Sequence, residues 1–146
     1  MAYFLSECTA DMAEGKGQSN KLAQSRILVV DDNHELVVTL SHMLHVLGLR
    51  IDSANCGPAA LRCLDRSPYD LVLTDLEMPG MSGYALAGEI KEKWSRTRVV
   101  IMTGRVREEF ESMMQAGIAD DWLLKPFSLS VLETVLSQAI CKGLDA

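Results

Sequence analysis

Five short apolar runs, each followed by a stretch with helical spacing, set the rhythm of this chain. The first, Arg26-Ile27-Leu28-Val29-Val30, is uninterrupted, as expected of a strand covered on both faces. It ends in Asp31-Asp32. Asn33 then opens a pattern in which Leu36, Leu40, Met43, Leu44 and Leu47 share one helical face until Gly48 stops it. Leu49 to Ala54 alternates like a half-exposed edge strand, and Pro58 suits the first turn of a helix running to Arg66. Ser67-Pro68 resets the chain, and Tyr69 to Thr74 read as a third strand ending at Asp75. Pro79-Gly80 breaks regular structure just beyond.

A helix over 83–94 follows, with Ala87, Ile90 and Trp94 on one face. Arg98-Val99-Val100-Ile101-Met102 is the fourth strand, ending in Thr103-Gly104. Glu108 and Glu109 suit the positive end of the next helix, Phe110, Met113 and Met114 form its apolar face, and Gly117 ends it. Asp121-Trp122-Leu123-Leu124 is a short fifth strand, ending in Lys125-Pro126. The last helix starts near Ser128 and buries Leu129, Leu132, Val135, Leu136, Ala139 and Ile140. Alternating strands and helices imply right-handed crossovers, hence an α/β fold with a parallel sheet covered by helices on both faces.

Asp75 stands out within this pattern. An acid after a strand usually caps the following helix, but that helix begins only near Ser82 or Gly83, too far away. In parallel sheets ligands bind outside the carboxyl ends of the strands. Asp31, Asp32, Asp75, Thr103 and Lys125 all fall at that edge. Two like charges ~4 Å apart repel by ~4 kcal/mol at an effective dielectric of 20, so three gathered carboxylates call for a cation. All-oxygen ligands with few carboxylates suit Mg²⁺, which keeps waters and shares its shell with phosphate. A carboxylate can also act as a nucleophile toward a phosphoryl group, with Lys125 and the Thr103 hydroxyl receiving the phosphoryl oxygens.

Composition narrows the classes. The 146 residues fit one domain, and 48% are apolar, enough for a core. A net charge of −6 with interspersed signs marks no footprint for nucleic acid or an anionic membrane. Cys8, Cys56, Cys63 and Cys141 show no C-x-x-C spacing, Cys56 and Cys63 read as small buried hydrophobes, and a reducing cytoplasm is the expected location. No apolar run approaches a membrane span. Residues 1–25 have linker composition around Glu14 to Asn20 and read as a flexible arm, residues 26–142 as the folded domain, and 143–146 as a short tail. His42 and His45 share a helix face, but no further ligand completes a metal set there.

The runs Ile27-Leu28-Val29-Val30-Asp31-Asp32-Asn33 and Asp75-Leu76-Glu77-Met78-Pro79-Gly80-Met81-Ser82-Gly83, with Thr103-Gly104, Ala116-Gly117 and Lys125-Pro126-Phe127, together resemble the receiver domains of two-component response regulators, the CheY-like superfamily. The resemblance implies a flavodoxin-like (βα)5 three-layer sandwich of strand order 2-1-3-4-5. It implies that Asp75 accepts phosphate from a histidine kinase or histidine phosphotransfer protein. It further implies that Asp32, Asp75 and the Glu77 backbone carbonyl bind Mg²⁺, that Asp31 helps through water, and that Thr103 and Lys125 contact the phosphoryl group. The Lys125-Pro126 bond is a candidate for the cis isomer.

By the same resemblance, Thr103 and Trp122 are the switch residues, with Trp standing where Tyr or Phe is more usual. Their movement would reshape the face of the fourth helix, fifth strand and fifth helix, a surface for a downstream protein partner or a homodimer. Glu77 and Arg105 occupy positions that tune phosphate lifetime in receivers. No DNA-binding or catalytic domain is recognisable, so the expectation is a phosphoacceptor switch rather than an enzyme, either free-standing or part of a hybrid kinase or larger regulator. The alternatives are a Mg²⁺-dependent phosphohydrolase with an Asp nucleophile, which lacks a second Asp two residues after Asp75, and a pseudo-receiver, which the full set of acids, hydroxyl and lysine opposes.

Overall fold

The computed structural model describes residues 22–104 and 109–145. Five strands, β1 (Arg26–Val30), β2 (Arg50–Ala54), β3 (Leu71–Asp75), β4 (Arg98–Thr103) and β5 (Asp121–Leu124), alternate with five helices. The helices are α1 (His34–Val46), α2 (Gly57–Arg66), α3 (Gly83–Lys93), α4 (Glu109–Gln115) and α5 (Leu129–Asp145). The strands form one sheet in the order β2-β1-β3-β4-β5, every pairing parallel. This is the flavodoxin-like arrangement.

The period-2 alternation of each strand splits the core in two. Ile27, Val29, Leu71, Leu73, Val100, Met102 and Leu123 point to one side, against Leu40 and Leu44 of α1 and Leu132, Leu136 and Ala139 of α5. Leu28, Val30, Val72, Val99 and Ile101 point to the other, against α2, α3 and α4 through Ala60, Leu64, Leu86, Ile90 and Phe110. The central strands therefore read as continuous apolar runs. The edge strand β2 is largely exposed, which explains its alternating sequence.

Several local readings shift by a residue or a turn. On α1 the buried stripe centres on Val37, Leu40 and Leu44, while Leu36, Met43 and Leu47 only flank it. Leu22 to Ser25, expected in the arm, pack onto the domain. Leu22 is buried beside Leu49 and Val37, and the Ser25 carbonyl accepts the Arg50 N–H at 3.2 Å. One apolar residue in a polar stretch gives no periodicity, so sequence reading misses it. At the other end α5 continues to Asp145, through residues expected in the tail. Cys56 and Cys63 are half-buried rather than buried, and the described cysteines, Cys56, Cys63 and Cys141, are free thiols.

The N-terminal edge of the sheet is held by charges. The Arg26 N–H donates to the Asp70 carboxylate at 2.8 Å. Asp120 takes the Val99 N–H at 2.8 Å and pairs with Lys91 and Arg98. Tyr69 donates its hydroxyl to Asp52 at 2.5 Å, and burial together with that carboxylate pushes the phenol up to about 12. The C-terminal edge is left for chemistry.

Candidate functional site

The end of β1 delivers Asp31, 2% exposed, followed by exposed Asp32. Asp75 closes β3 at 8% exposure and Thr103 closes β4 at 2%. Lys125 follows β5 directly, its N–H donating to the Thr103 carbonyl at 2.7 Å, and the Lys125-Pro126 bond is cis. The carboxylate oxygens of Asp31, Asp32 and Asp75 lie within 4.8 Å of one another. The Lys125 ammonium donates to Asp75 at 2.9 Å and to Asp31 at 3.3 Å. Five residues from four strand ends thus meet at one edge.

None of the acids is there as a helix cap. Asn33 caps α1 by accepting the Leu36 N–H at 3.2 Å, and Asp31 accepts the Asn33 N–H at 2.9 Å, fixing its own orientation. Ser82 caps α3 through the Ala85 N–H at 3.1 Å. Asp75 has no such duty, as the distance to α3 predicts.

The loop after Asp75 is held by a close approach that the sequence signals only as a glycine. The Gly83 N–H donates to the Leu76 carbonyl at 2.9 Å. A Cβ on Gly83 would lie 2.1 Å from the Asp75 carbonyl oxygen, so α3 packs on the backbone of Asp75 only because position 83 lacks a side chain. Leu76 donates its N–H to Met102 at 2.9 Å. These contacts fix the backbone from which the Asp75 carboxylate projects.

Electrostatically the site is a cluster of acids with, among the described residues, one resident cation, Lys125. Burial raises the Asp75 pKa, Lys125 opposes this, and Asp31 and Asp32 add to the rise. Burial alone would lower Lys125, but its hydrogen bond to Asp75 and the charges of Asp75 and Asp31 outweigh it and hold the ammonium above its ordinary range. One ammonium against three carboxylates leaves net negative charge facing a hard, all-oxygen donor set. Those residues fit a divalent cation of the Mg²⁺ type.

The remaining sequence candidates fall around this centre. Glu77 is exposed on the loop beyond Asp75, and Arg105 lies outside the described residues. Trp122 is half-buried and stacks on Phe110 of α4, ring centroids 4.8 Å apart and planes 14° from parallel. Sequence reading misses that partner because the two rings come from different elements, β5 and α4. His42 and His45 are exposed on α1. Among the described residues, Asp31, Asp32 and Asp75 form the one cluster of metal-capable side chains.

The family model of the response regulator receiver domain matches residues 27–137. The chain belongs to that family. Virulence sensor protein BvgS of Bordetella pertussis is 34% identical over 125 residues, covering 81% of this chain and 10% of BvgS. Among solved structures, the response regulator TrrA from Thermotoga maritima, in complex with Mg²⁺-BeF, is 34% identical with a TM-score of 0.71, covering 80% of this chain and 99% of that one. The receiver domain of sensor histidine kinase PA1611 from Pseudomonas aeruginosa, with a magnesium ion in its active site cleft, is 31% identical with a TM-score of 0.72, covering 81% and 98%. This receiver spans between 8% and 26% of the length of the curated relatives it matches. Many of those relatives are sensor kinases.

Proposed function

We propose that this receiver takes a phosphoryl group onto Asp75 from a phosphohistidine on a histidine kinase or histidine phosphotransfer protein. The observation that carries the reading is the Lys125 ammonium shared between Asp75 and Asp31, beside three carboxylates within 4.8 Å. An Asp75 carboxylate oxygen forms the new P–O bond as the donor's P–N bond breaks. The imidazole nitrogen keeps the electron pair and takes up a proton. Lys125 and the Thr103 hydroxyl hold two phosphoryl oxygens, so the chain contributes position and charge rather than a further covalent step. Asp32, Asp75 and the Glu77 carbonyl would hold Mg²⁺, with Asp31 helping through water, and the ion when bound neutralises the incoming phosphoryl charge.

The new charge at Asp75 is read through Thr103 and Trp122 and passed to the face of α4, β5 and α5. Leu124 and Val131 are exposed there, 39% and 48%, and we assign this face to a downstream protein or a second copy of the chain. Glu77 and Arg105 set the lifetime of the phosphate. The receiver acts as a switch in the cytoplasm. No helix among the described residues is long and apolar enough to cross a membrane.

The test is phosphate uptake from a small phosphodonor with Mg²⁺, read by intact mass. The wild type gains one phosphoryl group, and Asp75→Asn and samples in chelator gain none. Equal uptake by Asp75→Asn would overturn the assignment of Asp75.

A further inference from the structure

A second cleft of about 460 Å³ opens beside the acidic site, between α1 and α2 over the end of the edge strand β2. One wall is Asp31, Asp32 and His34; the other is the α2 stripe Ala59, Arg62, Cys63 and Arg66. That stripe follows the i, i+3, i+4, i+7 spacing of a single helix face. Alanine and cysteine make it concave, and two guanidinium groups stand one turn apart along it. Neither Arg62 nor Arg66 has a carboxylate partner among the described residues. Both side chains are exposed, so their guanidinium groups are open to an incoming anion. Ser53 and Asn55 add polar groups on the β2 side.

The two walls differ in what they attract. Guanidinium groups bind phosphate oxygens bidentately and keep their charge at all working pH values. The Asp31 and Asp32 wall repels an anion, unless a divalent cation sits on it and turns the same wall attractive. A cleft of this volume suits a small molecule rather than a protein domain.

We propose that the α1–α2 cleft binds a small oligophosphate, with Arg62 and Arg66 on one end and the divalent ion of the acidic site, beside Asp31 and Asp32, at the other. The proposal rests on the metal-binding part of the functional reading above, and it predicts a specific coupling. Oligophosphate binding draws on both the cation and the arginines, so a chelator and an arginine-deficient variant weaken the same signal.

The experiment is an amide NMR titration of the full chain with inorganic pyrophosphate, run with Mg²⁺ and repeated with chelator. Saturable shifts over α2 are expected with Mg²⁺, and affinity about tenfold or more weaker without it. The exposed double variant Arg62→Ala/Arg66→Ala, checked for a native amide spectrum, is expected to lose a similar factor. If the double variant binds as tightly as the wild type, pyrophosphate sits on the metal alone and the proposal is overturned; shifts that do not saturate overturn it equally. Phosphate uptake by the wild type, followed by intact mass in parallel, separates the two readings. A protein that binds pyrophosphate as described yet never gains a phosphoryl group would refute Asp75 as acceptor and leave the cleft standing.

Discussion

Replacing Lys125 by Met keeps a stem of similar length and removes the ammonium that pairs with Asp75 and Asp31. Its ammonium lies 2.9 Å from Asp75 and 3.3 Å from Asp31, so each pair attracts by ~5 kcal/mol at an effective dielectric of 20 before solvation is counted. Desolvation offsets most of that gross attraction, and the Lys125 side chain retains 25% exposure, so the net loss falls below the ~3–5 kcal/mol of a fully buried broken pair. We expect Lys125→Met to lose about 2 to 3 kcal/mol in metal-free buffer. Urea unfolding measures this directly. Excess Mg²⁺ should then stabilise both proteins, by about 2.7 kcal/mol at a hundredfold excess over its dissociation constant. The variant should recover more than the wild type gains, because the ion no longer competes with an ammonium for Asp31 and Asp75. A variant as stable as the wild type in chelator would refute Lys125 as the resident counter-charge, as would identical Mg²⁺ responses of the two proteins. The ammonium's pKa is raised in the fold, so its contribution is complete at neutral pH and fades only in strong alkali.

Three further outcomes follow from the same geometry. The Asp75 carboxyl is held above its ordinary range mainly by burial, so its ionisation costs folding free energy at neutral pH and none once acid protonates it in both states. Asp75→Asn, which cannot ionise, should be more stable than the wild type in chelator at neutral pH, with a gap that closes on acidification; a gap that widens contradicts the sign. Gly83→Ala should cost about 2 to 3 kcal/mol in urea unfolding and slow phosphate uptake, since its Cβ would lie 2.1 Å from the Asp75 carbonyl oxygen; a neutral substitution would show that α3 does not fix that backbone. Tyr69→Phe should lose about 1 kcal/mol, because its hydroxyl partner Asp52 is half-exposed, and ultraviolet titration of the wild type should find one phenol near 12.

Much of this architecture is legible in the sequence because the three central strands are buried on both faces and so carry uninterrupted apolar runs. Their ends, Asp31-Asp32, Asp75 and Thr103, follow from where those runs stop. Lys125 is legible through Lys125-Pro126 at the close of the fifth run. What escapes is contact between elements remote in sequence. Nothing near Trp122 names Phe110 as its stacking partner, and nothing near Gly83 shows that its missing Cβ makes room for the Asp75 backbone. The cleft-facing stripe of α2 escapes for a related reason. Arg62 and Arg66 look like a solvated helix face until β2 and α1 are placed opposite them.

The central claim is that the phosphoryl group is covalently held by Asp75. Borohydride reduces an acyl phosphate to an alcohol, so treating the phosphorylated wild type and sequencing its peptides by tandem mass spectrometry reports the acceptor itself. The account predicts homoserine at position 75 and unmodified Asp31 and Asp32. Homoserine at 31 or 32, or a phosphoryl group that survives reduction on another side chain, would contradict it.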